Sequence, residues 1–432
     1  MKFKSIAFTL FTACVAATCG TQAAQAVSLS TVASGLNNPR NGDFDKDGNY
    51  YVTESGFGGD GADGRCIPSP SSQFIPLCAG DTGSLLKIAP DGTTTSVISN
   101  LPSLALTPSG EQAAGPADFK FDSNGNGYLL MGLAGDPNNR DTILNTPILG
   151  QLYKVDLNSG SLTSLADFAK YEATFNPDGS DLINNPYAMT ILGDRAYVVD
   201  GGANVIYNVG LDGSGIKNVA AFPKGILPPN TEFPPGVEDA PGFEPTVQSV
   251  PTGVTVAPDG SLTVAEYTAF PYPEGTARVF DVDPETLEIK VRAQGFTQLT
   301  GAAYDDEGNL YVLQHINQAE WKAIQQGGVI TGDISGSVIK IAPDGTQETI
   351  WSGGGLEAAS GLLFGPDGDL YISNRARLKG DGSVVKLDVK SGGATKVPEP
   401  SAFIGMLLAS AAGAKAMKRK RQEELLAKVD TL

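Results

Sequence analysis

Apolar and polar positions along this chain alternate with period two in short runs, and the runs pair up across tight turns. One pattern recurs six times: a short apolar strand, a turn, then a strand carrying aromatic or β-branched residues. The copies are NGDFDKDGNYYVTE (41–54), ADFKFDSNGNGYLLM (117–131), YAMTILGDRAYVVD (187–200), GVTVAPDGSLTVAE (253–266), GAAYDDEGNLYVLQ (301–314) and GLLFGPDGDLYISN (361–374). A third strand follows each: SLLKIAP, QLYKVDL, VIYNVGL, ARVFDVD, SVIKIAP and SVVKLDV. Five copies continue into a fourth: TTSVIS, LTSLADF, IKNVAAF, EIKVRAQ and QETIWS. Turns of the PDG, SNG and NSG types supply the positive-φ residue that a tight hairpin needs.

The sixth copy runs into Ser391-Gly392-Gly393 without a fourth strand, while 27–34 (VSLSTVAS) precedes the first copy as an unpaired strand. The two ends are complementary, so the N-terminal strand is expected to complete the last sheet and close a ring. The predicted fold is all-β, a six-bladed β-propeller spanning 27–397, with each sheet edge removed by closure. The long insertions fall in the connections between second and third strands (55–83, 132–150, 267–276, 315–336) and between one blade and the next (100–116, 170–186, 223–251). In an up-and-down blade these lie on the same side, so they elaborate one face. The segment 223–251 holds eight Pro and is expected to be an extended loop; 317–326 (NQAEWKAIQQ) is expected to form a short helix.

Aligned at the end of the second strand, the six copies place Glu54, Met131, Asp200, Glu266, Gln314 and Asn374 at one position. If these side chains point to the axis, Glu54, Asp200, Glu266, Gln314 and Asn374 form a hard-oxygen set suited to Ca²⁺, with no imidazole. The competing expectation is a water-filled polar pore mouth. Asp43-x-Asp45-x-Asp47-Gly48-x5-Glu54 matches the EF-hand loop expression, but strands flank it and sister copies carry plain turns there; a hairpin turn is expected. His315 is the sole histidine, which excludes His-rich zinc sites; it is a weak candidate for a general base, against a bland rim position. Arg375 is a candidate for holding an anionic ligand, and Tyr267, Tyr272 and Trp321, with Phe270, for stacking on an aromatic or sugar ligand. Each also has a purely structural reading, a salt bridge or loop packing.

Composition changes the picture in two ways. Gly (53) and Pro (28) are abundant and charged residues make up only 18%, which argues against coiled coil and charge-rich disorder. The body 27–397 carries 22 basic against 44 acidic residues, which disfavours a phosphate backbone and hence nucleic acid as a partner. At the N-terminus Lys2 and Lys4, a small apolar run and Ala24-Gln25-Ala26 read as an export signal covering 1–26. For an exported chain the remaining pair, Cys66 and Cys78, is expected to form a disulfide; a redox or metal pair lacks the C-x-x-C spacing.

At the other end, Pro398-Glu399-Pro400, the apolar run 401–414 and Lys418-Arg419-Lys420-Arg421 resemble a PEP-CTERM sorting signal over 398–432. The apolar run is short, and a further tail, 422–432, follows the basic cluster. This resemblance implies an exosortase-type partner, transient anchoring in the inner membrane, and a periplasmic, surface or matrix destination.

The runs GLNNPRNGDFDKDGNYYVTESG, LGQLYKVD, DFAKYEATFNPDGSD, NPYAM, VPTGVTVAPDGSLTVAEYTAFPYPEG and GSVIKIAPDG, with the Cys66/Cys78 insertion, resemble the ScyD/ScyE family across 27–390. That resemblance implies an NHL-like propeller and an association with extracytoplasmic pigment of the scytonemin type, without assigned catalytic residues. Three function classes follow. The first is a monomeric envelope propeller binding a small-molecule or glycan ligand in an accessory role. The second, by likeness to gluconolactonase-like propellers, is a Ca²⁺-dependent lactonase or ester hydrolase. The third is a structural matrix protein.

Overall fold

The computed structural model describes residues 27–71, 75–237, 245–324 and 329–390. The segments 1–26 and 398–432, expected to be an export signal and a sorting signal, lie outside them. Six antiparallel sheets stand around a common axis. Blade 1 comprises Pro39–Phe44, Tyr50–Glu54, Pro76–Ile88 and Thr94–Leu106; blade 2 Pro116–Phe121, Gly127–Met131, Gln151–Val155 and Leu162–Asp167. Blade 3 comprises Pro186–Leu192, Arg195–Asp200, Val205–Gly210 and Gly215–Ala221; blade 4 Pro251–Val256, Leu262–Glu266, Ala277–Val282 and Ile289–Phe296. Blade 5 comprises Leu299–Tyr304, Leu310–Gln314, Ser335–Ile341 and Gln347–Glu357; blade 6 Ser360–Phe364, Leu370–Asn374 and Gly382–Asp388, with Ser28–Leu36 outermost.

Ring closure is therefore as expected: Ser28 pairs with Asp388 and Leu36 with Gly382, antiparallel. The six inner strands touch one another in sequence, and the last touches the first. Apolar side chains of neighbouring blades interlock between the sheets. Leu85 and Phe119 join blades 1 and 2; Leu130 and Tyr207 join blades 2 and 3; Val384, Ala33, Tyr50 and Val52 seal blade 6 to blade 1. Sheets facing each other this way bury both faces of every blade, which is why the second strands are apolar almost throughout.

Every inner strand carries a register irregularity near its start: between Pro39 and Gly42, Pro116 and Asp118, Pro186 and Ala188, Pro251 and Gly253, Leu299 and Gly301, and Ser360 and Leu362. Gly42, Ala188, Gly253 and Gly301 follow the bulges of blades 1, 3, 4 and 5, where the inner strands crowd. A Cβ on Gly301 would stand 2.8 Å from that of Leu362, and one on Gly253 3.0 Å from the Cα of Gly301.

Three expectations about the insertions change. The third and fourth strands of blade 1 run on as a long hairpin that takes up part of 55–83 and of 100–116, and Cys66–Pro68 adds to its edge. Cys66 lies opposite Cys78 and the two form a disulfide. The 170–186 connection begins with a helix, Phe168–Phe175, capped by Asp167 at its start and by Asn176 in the left-handed region at its end. The expected helix at 317–326 is reduced to Glu320–Ala323. In the Pro-rich segment Gly225–Ile226 pairs with Thr246–Val247; residues 238–244 lie outside the described ones.

Deleting residues 28–36 leaves the edge of Gly382–Asp388 unpaired. The expected outcome is a lower melting temperature together with concentration-dependent self-association, measured by calorimetry and size-exclusion chromatography.

Candidate functional site

The side chains ending the second strands do not form a shared metal ring. Each of the polar ones has hydrogen-bond partners of its own. Glu54 accepts the backbone N–H of Asn37 at 2.7 Å and the Ser84 hydroxyl at 2.5 Å. Asp200 accepts the N–H groups of Asn185, Gly202 and Ala203 at 2.7, 2.9 and 2.9 Å. Gln314 accepts from Thr297 N–H at 2.8 Å and Asn374 from Glu357 N–H at 2.7 Å. The N–H groups of Asn37, Asn185, Thr297 and Glu357 lie where the chain passes from one blade to the next, and those of Gly202 and Ala203 lie in the turn that follows Asp200. A carboxylate or amide at that position satisfies them, as buried backbone donors require. Glu266 instead binds Arg278, through Nε at 2.8 Å and Nη2 at 2.5 Å. Met131, fully buried, packs in the apolar seam between blades 1 and 2. Among the described residues no three His, Cys, Asp or Glu side chains group as a metal centre. The oxygens named for an axial Ca²⁺ are each met by N–H or O–H donors at hydrogen-bond distance.

The EF-hand-like run is a hairpin turn. Asp45 accepts the N–H groups of Asp47 and Asn49, and its other oxygen accepts Asn49 Nδ2. Asp122 and Asp305 repeat the backbone and side-chain contacts to Asn126 and Asn309 in blades 2 and 5.

What lines the axial mouth is the bulge of the inner strand in blades 1 to 5, a device that re-aims a side chain. Arg40, Ala117, Tyr187, Thr252 and Thr300 occupy it and line a cavity of about 470 Å³ at the elaborated mouth. Thr252 and Thr300 donate their hydroxyls to the carbonyls of Leu299 and Ala359 in the adjoining blades, at 2.6 and 2.9 Å. The upper wall comes from the connections: Tyr267, Tyr272, His315, Glu320 and Arg377. Arg377 Nη1 pairs with Glu320 at 2.9 Å, and its Nη2 with Glu111 at 3.4 Å. Tyr267 donates to the second oxygen of Glu320 at 2.5 Å. Four connections from blades 1, 4, 5 and 6 are tied by this one hub.

The electrostatics follow from burial. Burial alone would raise the Glu320 carboxyl, but Arg377 and the Tyr267 hydroxyl outweigh it and hold it below the ordinary range. Glu111 is pushed up to about 7, by burial first, against the pull of Arg377. His315 is buried beside Arg377 and is lowered to about 4. Its Nδ1 lies 2.8 Å from the Ala359 carbonyl, which only accepts, so Nδ1 carries the proton and Nε2 keeps its lone pair. Arg40 is 7% exposed, and among the described residues no carboxylate pairs with it. Its Nη1 and Nη2 donate to the carbonyls of Ala376 and Ala113, and its guanidinium stands 5.7 Å from the Tyr187 ring. The guanidinium is lowered by burial.

Of the residues singled out in the sequence, Tyr267, Tyr272 and His315 lie together in the cavity wall, with ring centroids 5.9 Å apart for the tyrosines and 5.7 Å for Tyr267 and His315. Phe270 joins them at the rim. Trp321 is not part of the wall; Lys322 lies over its ring. Arg375 is turned away in a left-handed conformation and pairs with Glu357 at 2.6 Å and Asp381 at 2.5 Å. Arg40, Glu111, Glu320 and Arg377 were not singled out. The position between Pro39 and Gly42 varies from copy to copy, and that variation within a repeated frame was the available signal.

Fold and cavity define a six-bladed β-propeller with its candidate site at the axial mouth. No protein-family model matches the chain, and no curated protein matches it in sequence. Among solved structures it is similar to a gluconolactonase from Xanthomonas campestris, at 11% identity and a TM-score of 0.47, over 84% of this chain and 90% of that one. It is also similar to a glucose dehydrogenase, at 13% and 0.46 over 85% and 100%, and to a virginiamycin B lyase from Staphylococcus aureus, at 11% and 0.41 over 84% and 99%. At such identities the likeness is one of fold alone.

Two outcomes are expected. Glu266→Gln removes one partner of a buried ion pair, so stability falls by roughly 3–5 kcal/mol in chemical denaturation, with calcium present or absent. Because folding favours neutral His315, stability is lost as pH falls from the ordinary 6.5 towards about 4. As the chain has a single histidine, its imidazole proton resonance reports this directly and keeps its neutral-form position at pH 6.

Proposed function

We propose that the protein is an exported, envelope- or matrix-associated propeller that binds a small organic anion with an aromatic or sugar-like body in the axial cavity. The observation that carries this reading is Arg40: a buried guanidinium at the cavity wall with no acidic partner among the described residues. A buried cation is costly unless a counter-charge meets it. Locally, two guanidiniums stand against one ionised carboxylate, Glu320, and one carboxyl raised to about 7, Glu111. The remaining acid of the lining, Asp181, is exposed at the rim. Tyr187, Tyr267 and Tyr272 offer ring faces and edges for a flat ligand body.

The leader 1–26, the sorting-type segment 398–432 and the ScyD/ScyE resemblance over 27–390 support a role outside the cytoplasm, as an accessory binder in pigment- or exopolysaccharide-related metabolism. A second reading, hydrolysis of a lactone or ester, is favoured by one feature: neutral His315 holds its Nε2 lone pair at the cavity wall, the form a general base needs.

A thermal-shift panel of aromatic and sugar carboxylates beside their neutral amides tests the binding reading. Carboxylates are expected to stabilise the protein and amides not. Arg40→Gln is expected to weaken carboxylate binding about 10- to 100-fold, the weight of a charge-assisted hydrogen bond. Equal binding of acids and amides overturns it. Turnover of a lactone and ester panel, lost in His315→Gln, identifies the enzyme.

A further inference from the structure

A second polar site lies away from the axis, between the helix Phe168–Phe175 and blade 3. Glu172 is fully buried there, and neither carboxylate oxygen has a hydrogen-bond partner. Two amide oxygens share that condition: Asn176 Oδ1 and Asn184 Oδ1 are buried and unpartnered. Both amides are fixed by their other ends, Asn176 Nδ2 on the Ser180 carbonyl at 2.7 Å and Asn184 Nδ2 on Asp200 at 2.5 Å. The oxygens therefore cannot be exchanged for donors by turning the amides.

All three residues lie on or against the one short helix. Asn176 follows Glu172 by one turn, and its N–H closes the helix on the Glu172 carbonyl at 2.9 Å. The Asn184 oxygen lies against the first helical turn: a Cβ built on Gly150 would meet it at 2.6 Å and Ala169 Cβ at 2.8 Å. Asp178 and Asp200 act on Glu172, and all three act on Tyr207, whose hydroxyl is also buried and unpartnered. Among the described residues no salt bridge reaches Glu172, Asp178 or Asp200. Asp200 is taken up by three N–H groups and Asn184, and Asp178 by Ser180 and Asn204. These two contribute charge rather than free oxygens, so no trio of acids marks the place. The open donors are one carboxylate and two neutral oxygens.

We propose that this pocket is a structural site for a divalent oxygen-seeking cation, Ca²⁺ by its donor set, with Glu172, Asn176 and Asn184 as the protein ligands. A hard cation takes six to eight oxygens, mixing carboxylate, amide and water. It satisfies several acceptors at once, which one water with two protons does not. The field of three carboxylates with no basic partner supplies the attraction. The site would lock the helix Phe168–Phe175 and the connection after it onto blade 3, beside the cavity-lining residues Asn185 and Tyr187.

Terbium is a direct probe, because Tyr207 lies at the site and Tyr171 is packed on it at 5.7 Å, so tyrosine excitation sensitises a bound ion. Purified protein, stripped with chelator, is expected to show saturable Tb³⁺ emission that Ca²⁺ displaces, and a melting temperature raised by several degrees on adding Ca²⁺. Both effects vanish in Glu172→Gln, which keeps the side-chain shape; Asn176→Ala weakens Ca²⁺ at least tenfold and keeps the test open should the first variant not fold. Absence of both effects in the wild type overturns the proposal and leaves Glu172 a buried neutral acid. Unchanged Ca²⁺ binding in Glu172→Gln, or its loss in Glu266→Gln instead, overturns it by placing the ion elsewhere.

Discussion

The structure depends on closure. Six small sheets wedge around an axis, and each is stable at its outer flank only because a strand lies there; the last flank is covered by Ser28–Leu36 from the far end of the chain. Closure has a local consequence. Every passage from one blade to the next crosses from the outside of the ring to its centre, and the crossing segment buries backbone N–H groups that no sheet can satisfy. The acid or amide at the end of the second strand meets that need at Glu54, Asp200, Gln314 and Asn374. The polar ring is a requirement of the topology before it is anything chemical.

The second consequence is the bulge. A regular inner strand would present a β-ladder to the axis and leave a narrow lined channel. In blades 1 to 5 the bulge at the top of the inner strand turns a side chain into the opening, and the connections above close over it. The scaffold thereby separates its duties: four of the six copies carry Pro before the bulge, while the bulge residue itself varies as Arg40, Ala117, Tyr187, Thr252 and Thr300 in blades 1 to 5 and Gly361 in blade 6. The buried hub of Arg377, Glu320, Glu111 and Tyr267 then ties the covering loops to one another across the axis. A body of strongly negative charge thus holds a locally positive cavity, and at physiological ionic strength the rim acids are screened over about 8 Å while the enclosed guanidiniums are screened less.

The fold was legible because repetition multiplies a weak signal. One hairpin such as 253–266 proves little, but six in a fixed frame, with 27–34 matching the strand missing after 389, leave few architectures. The site was less legible, for physical reasons. Glu54 and its counterparts do end their strands at the elaborated face, but whether such a side chain reaches the axis or bends to its own blade depends on donors in another segment. Strand periodicity says nothing of a bulge, so Arg40 could not be aimed from the pattern alone. Arg377, Glu320 and Glu111 come from three unrelated loops with no shared motif. Tyr267, Tyr272 and His315 were accessible to inference since they sit directly after second strands, where the chain must pass the mouth. Trp321 and Arg375, chosen for similar reasons, miss the cavity because their own turns direct them elsewhere.

The two oxygen-rich places in the molecule illustrate what decides whether an acid needs an ion. Asp200 is as buried as Glu172, and both carboxyls are raised by desolvation, to about 6 and about 8. Asp200 gathers backbone N–H groups that partly offset the lost water, so its charge has neighbours of opposite polarity at hydrogen-bond distance. Glu172 has none, and the charges that act on it are those of Asp200 and Asp178. Counting acids identifies neither case correctly. Counting the donors available to each acid does, and that count can be made only once the crossing connections and the helix after blade 2 have been placed.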